Sequence, residues 1–153
     1  MTTTQAATPT ITNAGTKPAV RHKLFVNIPV SDLQRSIQFF EALGFRFNRQ
    51  FTDATATCML VGEDAYFMLL ARDRFQGFSQ RPVGNPREET NALFAISVND
   101  RLEVDALVTK AIAAGGSYAA APQDHGFMYG WSFYDLDGHQ WEVFWMDPSA
   151  IQD

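Results

Sequence analysis

Two stretches decide the fold: Phe25-Val-Asn-Ile-Pro-Val-Ser-Asp32 and Leu93-Phe-Ala-Ile-Ser-Val-Asn-Asp100. They overlay with an offset of 68 residues, each an alternating apolar run that ends on an aspartate. Alternation over this length is the period of a half-buried strand. Pro29 has no N–H to give a ladder, so the first strand should end there or lie at an unpaired edge. Behind the first stretch, Ser31 with Gln34 forms a capping-box pattern. Leu33, Ile37, Phe40 and Leu43 then recur at helical spacing until Gly44. Behind the second, Val104, Leu107, Val108, Ala111 and Ile112 share a helical face until Gly115-Gly116.

Three strand candidates complete the first half: Phe45–Gln50, Thr55–Val61 and Ala65–Ala71, the last two flanking a Gly62-Glu63-Asp64 turn. The second half continues with a short strand near Ser117–Ala120, then a hairpin with arms Phe127–Asp135 and His139–Met146 turning at Asp137-Gly138. The stretch from Arg72 to Thr90 is polar, carries Pro and Gly, and reads as irregular; loops of that length are functional or mobile. The chain is therefore α+β: two βαβββ modules, 22–72 and 91–147, joined by a linker over 73–90. Each is too small to bury both faces of its sheet, so the two should pack as one domain over 21–150.

Composition narrows the function. With 153 residues, one globular domain with a real core is expected. Twelve basic and seventeen acidic residues give a net charge of −5, and the longest basic cluster is Arg21-His22-Lys23. That excludes the concentrated basic face a nucleic acid or an acidic membrane requires. The single cysteine, Cys58, makes no internal disulfide and reads as a small buried hydrophobe. No apolar run approaches the ~20 residues of a membrane span. Residues 1–20 hold seven threonines and no charge before Lys17, so they read as a disordered tail without the pattern of a secretory signal. A cytoplasmic location is the expectation.

The ordered set of motifs resembles the vicinal oxygen chelate superfamily of glyoxalases, bleomycin-resistance proteins and extradiol dioxygenases. The carrying residues are Phe25–Asp32, Ser36-Ile-Gln-Phe-Phe40 and Leu43-Gly44-Phe45, then Gly130-Trp-Ser-Phe-Tyr-Asp135-Leu-Asp137-Gly138-His-Gln-Trp-Glu142. Gln123–Gly130 is similar to a segment of the lactoylglutathione lyase branch. The resemblance implies a half-open barrel enclosing the ligand, a homodimer, and one divalent metal held from four strand positions. Those positions fall on Phe25, Met68, Leu93 and Glu142. Only Glu142 suits zinc, nickel or manganese, because Phe and Leu cannot ligate and a thioether is soft. His22 lies an odd number of residues from Phe25 and points to the other face. A metal-free pocket is therefore expected, with a divalent ion as the alternative.

Candidate site residues follow. Glu142 shares a strand face with Phe144 and Met146, and would serve as base, cation anchor or metal ligand; otherwise it is a structural carboxylate satisfied locally. His125, in Asp124-His125-Gly126, would shuttle protons or act as a second ligand; the plainer reading is a solvated loop histidine. Phe25, Asn27, Met68, Leu93, Phe127 and Tyr129 are expected to line the ligand pocket, with Tyr66 and Trp131 as further stacking candidates, against ordinary core packing. His139 reads as a surface residue, and Asp135 and Asp137 as turn formers. Two functions remain: a glyoxalase-type enzyme acting on a small carbonyl or thiol adduct, or a metal-free binding protein of bleomycin-resistance type.

Overall fold

The computed structural model describes residues 2–9, 15 and 17–151. The expected tail over 1–20 falls partly outside these; its described residues are exposed and belong to no regular element. The first module runs β1 (Leu24–Val30), α1 (Leu33–Ala42), β2 (Arg46–Asn48), β3 (Ala56–Leu60) and β4 (Ala65–Ala71). The second runs β5 (Leu93–Ser97), α3 (Arg101–Ala113), β6 (Ser117–Tyr118), β7 (Gln123–Asp124), β8 (Met128–Tyr134) and β9 (Gln140–Met146). Between them stands α2 (Arg72–Phe78). Sheet one has the order β1-β4-β3-β2, and sheet two β5-β9-β8-β6 with β7 also on β8. In both, the first strand lies parallel to the last at the sheet edge. The α+β class and the repeat are those the sequence implies.

Several local expectations are corrected. The first helix is capped by Asp32, whose Oδ1 accepts from Arg35 N at 3.2 Å, and not by Ser31. Asp100 does the same for α3 through Glu103 N at 2.8 Å, so the repeat aligns the caps as well as the strands. Pro29 does not end β1; the other alternative holds, since β1 is an edge strand that pairs only with β4 and leaves its other edge open, where the missing N–H is harmless. The irregular reading of Arg72–Thr90 fails at its start, where α2 forms directly after β4. The strand at Ser117 spans two residues, and β7 lies in a stretch that reads as loop.

One core serves both modules. Val26, Ile28, Phe67 and Leu69 of sheet one and Phe94, Phe133, Trp141 and Val143 of sheet two belong to a single cluster with α1 and α3. Rings cross the boundary: Phe67 meets Phe94 at 5.0 Å and Trp141 at 4.7 Å, and Phe40 meets Trp141 at 5.2 Å. Those of them that are fully buried contribute about 1.5–3 kcal/mol each. Because strand residues alternate, the neighbours of these core residues point the opposite way. Each sheet thus turns its other face outward, away from the shared core.

A polar joint reinforces the boundary, and it revises the reading of three residues. Asp135 and Asp137 are turn formers, but both are buried. Asp137 Oδ1 accepts from Ser31 N of the first module at 2.8 Å. The half-buried His139 is no surface residue; its Nε2 donates to the Pro29 carbonyl at 2.8 Å.

Candidate functional site

Glu142 stands in the middle of β9, facing outward from sheet two. Its ladder partners are Ala95 on one side and Ser132 on the other. Two residues earlier on the same face, Gln140 donates its side-chain Nε2 to Glu142 Oε1 at 2.6 Å. Buried Ser132 accepts from Ala120 N at 2.9 Å, which draws the segment 120–123 across the end of the face. The result is a cavity of about 460 Å³ lined by Ala120, Ala121, Gln123, Met128, Gly130, Trp131, Ser132, Glu142, Val143, Phe144 and Met146. Glu142 is the only ionisable side chain in that lining.

The sequence-derived candidates do not assemble around it. Phe25, Asn27 and Met68 face outward from sheet one, where Phe25 stacks on Tyr66 at 4.7 Å. Leu93 faces outward from sheet two at the far end of β5, 57% exposed. Since the shared core lies between the sheets, the first group and Glu142 occupy opposite outsides of the chain. Tyr129 sits across the ladder from Trp145, on the helix-bearing face; its hydroxyl donates to Asp105 of α3 at 2.6 Å. That hydrogen bond, with some burial, pushes the phenol up to about 12. Phe127 and His125 lie in the exposed loop before β8, their rings 6.4 Å apart, and neither lines the cavity.

The same loop is anchored by charge. Arg101 Nη1 and Nη2 donate to Asp124 at 2.7 and 3.0 Å, and its guanidinium lies 5.5 Å from the Tyr129 ring and 5.0 Å from that of Trp145. This pairing, helped by Gly126 N, holds the Asp124 carboxyl down at about 2. Cys58 is buried on the outward face of sheet one beside Met68, and burial pushes its thiol up. That makes it a packing residue and not a nucleophile.

Residues missed from the sequence include Gln140, Ser132 and Met128. Their signal was available: Gln140 and Glu142 are two apart in a strand, and the Asp137-Gly138 turn fixes which β8 residues face them.

The superfamily model for glyoxalase/bleomycin resistance protein/dioxygenase matches residues 23–143, most of the chain. The chain belongs to this superfamily. Solved structures agree. A hypothetical protein from S. aureus is 32% identical, covers 82% of this chain and 94% of its own, and superposes with a TM-score of 0.71. A glyoxalase-related enzyme from Fulvimarina pelagi is 20% identical over 82% of this chain and 88% of its own, with a TM-score of 0.71. TioX from Micromonospora sp. ML1 is 19% identical over 83% and 99%, with a TM-score of 0.60. No protein of curated function gives a sequence match.

Phe25, Met68, Leu93 and Glu142 offer one hard donor, and among the described residues no three His, Cys, Asp or Glu side chains come together. These residues do not fit zinc, nickel or manganese. Among the described residues, no helix is long and apolar enough to cross a membrane.

Proposed function

We propose that the protein binds a small organic molecule against the outward face of sheet two, with Glu142 as its polar anchor and without a tightly held divalent ion. The observation that carries this is a single carboxylate, oriented by Gln140, in an otherwise uncharged cavity of ligand size. The lactoylglutathione-lyase-like reading of a carbonyl or thiol adduct pairs Glu142 as base with a histidine that shuttles the proton. The histidine the sequence offered for that, His125, lies outside the lining. The arrangement therefore favours binding, of the kind seen in resistance proteins, over lyase chemistry.

The site is completed by a second copy in this proposal. Strands β1 and β5 each have a partner on one side only. Phe25 and Leu93, on their outward faces, are 48% and 57% exposed. A homodimer that sets the Phe25–Met68 face of one protomer beside the Glu142 face of its partner would unite the four positions in one pocket.

Metal content of the purified protein, measured by plasma mass spectrometry alongside zinc, nickel and manganese titrations, tests the reading. The expected result is neither bound nor bindable ion. A stoichiometric ion, or turnover of a glutathione adduct abolished in Glu142→Gln, would replace binding by lyase chemistry.

A further inference from the structure

We infer that the ligand of this cavity is an organic cation: a protonated nitrogen, ammonium or amidinium, on an apolar body. The inference rests on the binding reading of the same cavity and specifies what that cavity selects.

Charge selects the ligand. No Lys, Arg or His lines the cavity. The ion pairs among the described residues lie elsewhere, joining Arg21 to Glu63 and Asp64, Arg74 to Asp53, and Arg101 to Asp124. The half-buried carboxylate of Glu142 receives one neutral hydrogen bond, from Gln140. A carboxylate has room for about four, and a partly desolvated charge without a counter-charge is costly. A cationic ligand removes that cost through a charge-assisted hydrogen bond, roughly twice as strong as a neutral one.

The remaining walls point the same way. Phe144 presents a ring, and Met128 and Met146, paired across the ladder, present polarizable thioethers. Rings attract cations and thioethers adapt to varied apolar shapes. No cationic side chain lines the cavity to hold an anion, and the Gln140 amide beside it donates to Glu142. If a second copy closes the pocket, the outward side chains it adds from β1 and β4 (Phe25, Asn27, Tyr66, Met68) carry no charge. Lys23, just before β1, holds its Nζ 5.9 Å from the Tyr66 ring.

A matched ligand series tests this on the full chain: 1-naphthylmethylammonium, 1-naphthylmethanol and 1-naphthoate, titrated by calorimetry at low and high salt. The ammonium should bind about tenfold more tightly than the alcohol, a preference that shrinks with salt. The naphthoate should bind more weakly than either. In Glu142→Gln the ammonium and the alcohol should become equal within about twofold. Equal binding of ammonium and alcohol by the wild-type protein overturns the inference and leaves the pocket standing. A preference retained in the variant also overturns it. No binding of any of the three overturns the pocket and the inference together. Should the variant fail to fold, the wild-type series and its salt dependence decide alone.

Discussion

The indole of Trp141 donates to Asp135 Oδ2 at 3.0 Å, and neither residue is more than 5% exposed. Asp135 Oδ1 meanwhile accepts from the backbone N–H groups of Asp137 and His139, both at 3.0 Å. One carboxylate thus shapes the β8–β9 turn and ties it to the ring that crosses between modules. Burial pushes the Asp135 carboxyl above the ordinary range. Its folded value exceeds its unfolded one, so its contribution to stability is complete below the ordinary carboxylate range and is lost as pH rises through the folded value.

Trp141→Phe should orphan that oxygen at a cost of about 1–3 kcal/mol, with a further cavity term. Losing the donor disfavours the ionised form, so the destabilisation should be larger at neutral pH than in acid. Urea melts of both proteins at pH 4 and pH 7 measure the difference. An equal shift at both values would show the cost to be packing alone.

Gly116→Ala should destabilise the fold by about 1–3 kcal/mol, because a Cβ there would stand 2.7 Å from the Tyr134 carbonyl and 2.9 Å from that of Ala111. Gly62→Ala is the control, since its Cβ would meet only Ala65 Cβ at an ordinary 3.7 Å. Thermal melts that rank Gly116→Ala no worse than Gly62→Ala would contradict the close approach.

Arg101→Gln should let the Asp124 carboxyl rise from about 2 toward the usual 3.8. It should stop short of that value, because Gly126 N still donates to Asp124 Oδ1 at 2.9 Å. A carboxylate with a lowered folded value contributes stability above its ordinary range and loses it as pH falls through about 2. Carboxyl chemical shifts followed by NMR from pH 1.5 to about 6 read this directly. An unmoved Asp124 would mean that backbone donors alone hold it down.

Leu93→Asp should leave the fold intact, because the side chain is more than half exposed. It should, however, dissociate a dimer formed through the outward face of β5. Sedimentation of both proteins at matched concentrations gives the answer, and an unchanged dimer would move the interface away from β5.

The chain alone determined its modules and the stretches that form α1 and α3, though not α2. Those are local matters: Asp32 and Asp100 supply side-chain caps, and Gly44 and Gly115 adopt positive φ of 100° and 109° that few other residues tolerate. The face that Glu142 shares with Phe144 and Met146 was legible too, because a strand alternates with period two. The placement of Tyr129 opposite Trp145 and not on that face depended on hairpin register. The relation between the modules was decided by tertiary structure. Alternation says which side chains share a face, but not which face of a sheet will meet another sheet. That choice fell to the aromatic side, where Phe67, Phe94 and Trp141 bury one another. It sent Phe25 and Met68 to one outside of the chain and Glu142 to the other, because apolar area removed from water is largest when the two ring-bearing faces close on each other.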